Sequence, residues 1–347
     1  MTNFKTTSSA FAVALILAGC GGGGSDSAPS VPVATKPEVS VPAPAPVSPP
    51  SDLQTSVADL TYPAKSAEHE FITEFNQFRS HLGLGLLSQS AQLDTAARNH
   101  LNYVLRNDEY TGGTVDMLGV DQATGRQMFH IERADKPLFT GVQELDRAKA
   151  AGYPGSYVGE SGTFGGGKGG QVAFAALSST VYHRAGLMYQ SPREVGIAVG
   201  QDASQTFVLE FGFVKPQANA SDYLGTYPGP GQVGVPLHAG VEVPNPFPEL
   251  SLTNTDFPTK TGYPISVVVK EGATLEVLKF TLTQEGDAAP IESRLLVKSN
   301  DPNRYLAANM AFIVAKAPLK PATNYSVSFS GRVNNVVVNK DWKFSTR

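Results

Sequence analysis

The stretch GESGTFGGGKGG, residues 159–170, has a spacing that suggests a chemistry at first sight. Gly162 and the pair Gly167-Lys168 stand where a phosphate-binding loop carries its first glycine and its glycine–lysine pair. Such a loop works because backbone N–H groups cradle phosphates, the lysine reaches them, and a Ser or Thr directly after the lysine holds magnesium. Here the next residue is Gly169. The preceding AKAAGYPGSYV is small, polar and broken by Gly152, Pro154 and Gly155, whereas a phosphate loop follows a buried strand. The stretch is expected to be a flexible glycine-rich surface loop without a nucleotide. No Gly-x-Ser-x-Gly elbow and no His-Glu-x-x-His occurs, and there is no candidate cysteine nucleophile. What remains is a scatter of His and Glu between positions 100 and 183.

The elements that must position them begin near Ser66. SAEHEFITEFNQFRSHLG places Ser66 as a candidate N-cap, Glu68 and Glu70 in a first turn, and Phe71, Phe75, Phe78 and Leu82 on one helical face, stopped by Gly83. A second helix follows, with Leu93, Ala97, Leu101, Val104 and Leu105 lining a face. Thr140-x-x-Gln143 has capping-box spacing and predicts a short third helix running to Gly152. QVAFAALSSTVYHR predicts a fourth. EVGIAVG (194–200) and QTFVLEFGFV (205–214) read as paired strands. Helices first and a closing sheet suggest an α+β unit. After YPGPGQVGVP the texture changes to six short strand-like runs separated by turn residues, with Asn334-Asn335 in a hairpin, which predicts a β-sandwich.

The 347 residues carry 41% apolar and 17% charged side chains, enough for about two domains with their own cores. The N-terminal apolar run AFAVALILAGC is too short to span a membrane and reads as a signal peptide over residues 1–19. Leu17-Ala18-Gly19-Cys20 resembles a bacterial lipobox, so Cys20 is expected to be lipidated and the membrane to be a partner through that anchor. Gly21, with no Asp there, gives no sign of inner-membrane retention. The outer membrane or cell surface is the expected place. Residues 20–57 are Gly-, Pro- and Ala-rich and form a linker. Removal of residues 1–19 leaves 26 basic and 31 acidic residues with no concentrated basic patch, so nucleic acid is not an expected partner.

Three ordered phrases carry a family resemblance. FNQFRSHLGLGLLSQSAQLDTAARNHLNYV contains Asn76, Arg79, and Leu93, Ala96, Ala97 and His100 in an LxxAAxxH phrase. HIERADKPLFTGVQELDRAKAAGYPGSYVGES contains His130, Glu132, Phe139-Thr140-Gly141, Asp146-Arg147, Ala151-Gly152-Tyr153 and Gly159-Glu160. VYHRAGLMYQSPREVGIAVG contains His183-Arg184 and Gly196-Ile197. Together, over about residues 66–216, they resemble the bacterial secreted branch of the CAP superfamily (cysteine-rich secretory, antigen 5, pathogenesis-related-1). The end of the chain, with Leu319, Pro321, Thr323, Tyr325, Trp342, Phe344 and Thr346, resembles the closing strands of bacterial immunoglobulin-like domains. Tyr325 and Trp342 are expected in its core.

The resemblance implies an α-β-α sandwich over 58–218, a linker over 219–240 and an immunoglobulin-like β-sandwich over 241–347. It also implies an open cleft floored by two histidines and two acids that in some members hold a divalent metal. Carried over by position, the histidines are His130 and His183, the candidate metal ligands, and one acid is Glu160. The second acid should precede His183 on its helix, but QVAFAALSSTVY holds none. Glu132, two residues beyond His130, reaches the same cleft if that segment is extended. Two protein ligands are few for zinc, so any such metal is expected to be weakly bound. His100 is expected to be a satisfied core histidine, His69, His81 and His238 surface residues, and Asp146, Arg147 and Thr140 helix-start residues. Three readings follow: a binding cleft for a small apolar molecule, envelope component or protein; a metal-assisted hydrolase using the same cleft; and an adhesin or scaffold. The ligand is not named by the sequence.

Overall fold

The computed structural model describes residues 51–347 apart from 123, 165–167, 204 and 253–254. Cys20 and the centre of the glycine stretch therefore lie outside the described residues. Helix α1 (Ala67–His81) starts where its cap predicts, with the Ser66 side chain accepting from the His69 N–H. Phe71, Phe75, Phe78 and Leu82 are all buried, and Gly83 ends the helix at φ +71°. Arg79 is buried too, donating to the carbonyls of Gly85 at 2.6 Å and Tyr189 at 2.7 Å. Burial lowers its pKa to about 10. Asn76 exchanges two bonds with the Leu87 backbone, at 3.0 and 2.8 Å, and so fixes the chain that leads into strand β1 (Ser88–Gln89).

Helix α2 (Ala91–Asn107) buries Leu93, Ala97, Leu101 and Val104 as its spacing predicts. Helix α3 (Glu144–Ala150) is capped three residues later than expected, by Gln143 in place of Thr140, and the Gln143 N–H donates to Asp146 at 3.1 Å. Thr140 is drawn elsewhere: its N–H and hydroxyl both bond the Glu132 carboxylate.

Strand β2 (Tyr157–Thr163) corrects the surface-loop expectation for this part of the glycine stretch. It pairs antiparallel with a later strand, Glu160 opposite Glu210. Its glycines are required by neighbours: a Cβ on Gly159 would lie 2.6 Å from the Phe211 ring, and one on Gly162 would lie 2.3 Å from Phe129. The glycine content of the segment reflects that close approach and not a loop.

The expected fourth helix is two, α4 (Gly170–Ser178) and α5 (Tyr182–Leu187). The hydroxyls of Ser179 and Thr180 donate back to the carbonyls of Ala176 and Leu177, both at 2.8 Å, at the break between them. Strands β3 (Glu194–Val199) and β4 (Phe207–Phe213) pair antiparallel as predicted, and the sheet order is β1-β3-β4-β2. One face of β3 and β4 packs with the buried side of α1 and α4 through Val195, Ile197, Leu209 and Phe211. Ala198 and Val208 on the other face meet Ala97, Leu101 and Val104 of α2. This is the α-β-α layering that the family resemblance implies.

Strand β5 (Leu224–Tyr227) lies inside the stretch expected as a linker and edges the second domain, pairing with β6 (Ile265–Val269). The short helix α6 (Asp256–Lys260) precedes β6. The remaining strands are β7 (Leu275–Gln284), β8 (Ser293–Val297), β9 (Met310–Ala315), β10 (Asn324–Val333) and β11 (Val336–Ser345). They form sheets β5-β6-β9-β8 and β11-β10-β7, with Asn334 and Asn335 at positive φ in the predicted hairpin turn.

Strand β10 alternates buried and less buried residues throughout, as a strand with one core face should. Strands β6 and β9 are instead buried on both faces. Ile265, Val267, Ala311 and Ile313 face the other sheet, with Tyr325 and Trp342 in the same core. Val268, Phe312 and Val314 join the cluster that contains Phe71 and Phe75 of the first domain. The apolar runs ISVVV and MAFIVA, broken only by the buried Ser266, follow from this double burial. Arg184 strengthens the junction: it is fully buried, with its guanidinium 4.5 Å from the Tyr263 ring centre and 5.0 Å from that of Tyr227.

Candidate functional site

His130 ends a short 3-10 turn, Met128–His130, and its Nδ1 lies 2.8 Å from Oε1 of Glu160 on β2. His183 lies on the first turn of α5, where its Nδ1 lies 3.1 Å from Oε2 of Glu242. Glu242 follows the β5 segment and was not legible as a site residue. Its carboxylate also accepts the N–H groups of Val181 at 2.7 Å, Tyr182 at 2.9 Å and His183 at 3.2 Å. It supplies the acid that the helix before His183 lacks, from 59 residues downstream. Both rings keep about a fifth of their side-chain surface exposed, while Glu160 and Glu242 are buried.

The two rings share one groove. A hollow of about 440 Å³ adjoins one of about 250 Å³, and both are lined by Gln127, His130, His183 and Val243. The larger hollow is walled by Phe129, Phe164, Leu177 and the 240–243 connector. The smaller one is walled by Tyr157, Tyr182, Tyr189, Tyr305 and the Arg126–Glu144 ion pair. Val243, Pro244 and Tyr305 come from beyond the first helical and sheet unit, so both folded parts contribute to the groove.

Behind Glu160 lies a fully buried charge cluster. Arg147 donates to Glu160, has Glu132 and Glu210 at 4.0 and 3.7 Å, and also donates to the His130 carbonyl at 3.3 Å. Burial would lift the Glu160 carboxyl, but Arg147, His100 and His130 together hold it well below the usual carboxylate range. Glu160 is therefore ionised and can only accept. Its bond fixes the proton of His130 on Nδ1 and leaves the Nε2 lone pair of the neutral ring to the groove. Glu242, facing four donors, fixes the same tautomer at His183. No described residue bonds Nε2 of either ring.

Glu132 does not reach the groove. It is buried against His100 at 3.0 Å and against Thr140 and Gly141. The period-two argument fails because His130 belongs to a 3-10 turn and not to an extended segment shared with Glu132. His100 is the satisfied core histidine expected, with its Nε2 donating to the Phe129 carbonyl at 2.7 Å. Arg147 is more than a helix-start residue: it organises the carboxyl groups of Glu160, Glu132 and Glu210, which the sequence alone did not indicate.

Zinc needs three or four protein ligands. Among the described residues no group of three or more His, Cys, Asp or Glu is placed to hold a metal. Glu160 is engaged by Arg147 and His130, and Glu242 by backbone N–H groups and His183, so only two imidazole lone pairs remain. The expected role of His130 and His183 as metal ligands does not fit this donor set.

The model of the cysteine-rich secretory protein family, CAP, matches residues 72–214, and the chain carries a CAP domain there, followed by an all-β domain of two antiparallel sheets. Among solved structures, an outer surface protein from Borrelia burgdorferi is similar at 14% identity and a TM-score of 0.32, over 44% of this chain and 95% of that one. No curated protein matches the chain.

Proposed function

We propose that this chain is an envelope-anchored CAP-domain lipoprotein whose groove binds a ligand between His130 and His183. The anchor rests on the lipobox-like Leu17-Ala18-Gly19-Cys20, which lies outside the described residues. Among the described residues no helix is long and apolar enough to cross a membrane. The observation that carries the binding reading is the pairing of each groove histidine, through Nδ1, with a buried carboxylate. Such pairing orients a ring and leaves one directional acceptor pointed at whatever fills the space. The hydrolase reading ranks below it because the donor set falls short of a metal site, and the hydroxyl beside a ring, Thr180 Oγ1 at 3.2 Å from Nδ1 of His183, gives its proton to the Leu177 carbonyl.

The test is retention of a low-mass ligand by the full chain, in detergent, after incubation with an envelope extract, read by native mass spectrometry. Wild type is expected to retain a ligand that His130→Ala and His183→Ala both lose, and Glu242→Ala should weaken retention by releasing the His183 ring. Equal retention by all four proteins would remove the groove from the account and favour the scaffold reading.

A further inference from the structure

The geometry points to an uncharged oligosaccharide as the occupant of the groove, lying across both hollows with His130 and His183 beneath its middle. This rests on the binding reading above and names the ligand class. The first argument is charge. Every charged side chain that lines the groove is already engaged within the protein: Arg126 is paired with Glu144, Glu160 with Arg147, and Glu242 accepts hydrogen bonds from backbone N–H groups and His183. A charged ligand would lose hydration there without gaining a free counter-charge.

The second argument is hydrogen bonding. The groove presents two Nε2 acceptors, and no described residue bonds the hydroxyls of Tyr157, Tyr189 or Tyr305, which line its smaller hollow. This array of acceptors and two-way hydroxyls complements a chain that is rich in hydroxyl groups. The third argument is shape. Tyr305, 44% exposed, stands 5.4 Å from Tyr182 between ring centres, and with Tyr157 and Tyr189 gives the hollow an aromatic lining. Flat aromatic faces suit the C–H face of a sugar ring, while the polar tips remain free for its hydroxyls. The two hollows, about 440 and 250 Å³, meet at the histidines, which suits several linked units better than one compact molecule.

The test titrates a β-1,4-linked N-acetylglucosamine tetramer and, separately, a capped uncharged peptide of four residues into the isotopically labelled full chain. The expected result is saturable amide shifts at residues of both hollows with the saccharide alone. Tyr305→Ala should weaken that binding about three- to tenfold, the loss of one ring contact, with the fold unchanged because Tyr305 stands at the surface and not in a core. Saturable binding of the peptide and not the saccharide would overturn the ligand class while leaving the groove as a binding site. Saccharide shifts confined to other surfaces, or no binding of either probe, would overturn the inference whatever the extract experiment shows.

Discussion

Replacing Arg147 with methionine is expected to destabilise the protein by about 3–5 kcal/mol, the range for removing one partner of a buried ion pair. Methionine keeps much of the side-chain volume, so the loss isolates charge. Arg147 and its partners Glu160, Glu132 and Glu210 are all fully buried. Burial opposes a charged guanidinium, yet the surrounding carboxylates of Glu160, Glu210 and Glu132 raise its pKa above the ordinary arginine value. Without it Glu160 would sit in the interior with its charge opposed only by histidines. Chemical denaturation at neutral pH measures the change, and adding Glu160→Gln to the variant should recover part of the loss. A loss under about 1 kcal/mol would show that the cluster is not held together by this cation.

The second large effect concerns pH. Glu160 and Glu210 face each other across β2 and β4, and neither Glu210 oxygen has a hydrogen-bond partner when both groups are read as carboxylates. Burial, then repulsion from Glu160, pushes the Glu210 carboxyl well above the ordinary glutamate value of 4.5, with Arg147 opposing. The folded protein therefore keeps a proton on Glu210 at pH values where the unfolded chain has lost it. Stability from this group is complete below 4.5 and declines as pH rises towards the folded value. One proton is involved, so the folding constant falls about tenfold per pH unit across that window. Glu210→Gln cannot ionise, and its stability relative to wild type should rise with pH over the same window. Glu160 acts in the opposite sense: its stabilisation, present above 4.5, is lost as pH falls through its depressed folded value, and that acid limb should survive in the variant. Denaturation midpoints that run parallel in the two proteins from acid to alkaline pH would contradict this assignment.

Much of the scaffold was legible because its signals are local. Ser66 and Gly83 bound α1, the spacing of Leu93, Ala97, Leu101 and Val104 gives α2, and the apolar runs of the second domain are its strands. The misses share a cause, which is dependence on distant neighbours. β2 was hidden because its glycines make room for Phe129 and Phe211, and a sequence shows the glycine without the ring that demands it. Thr140 was read as a cap because the buried Glu132 that claims it lies eight positions upstream. His130 and Glu160 were legible through family resemblance, and the structure brings them into contact. Glu242 was not, because it lies outside the resembling segment and reaches His183 only when the connector folds against α5.

The most direct test of the central claim reads the ring tautomers of His130 and His183 by long-range ¹H–¹⁵N correlation at a pH where both rings are neutral. Carboxylates at Glu160 and Glu242 should hold the proton of both rings on Nδ1, with Nε2 unprotonated towards the groove. A proton on Nε2 of either ring, or a mixture of the two forms, would contradict the site described here.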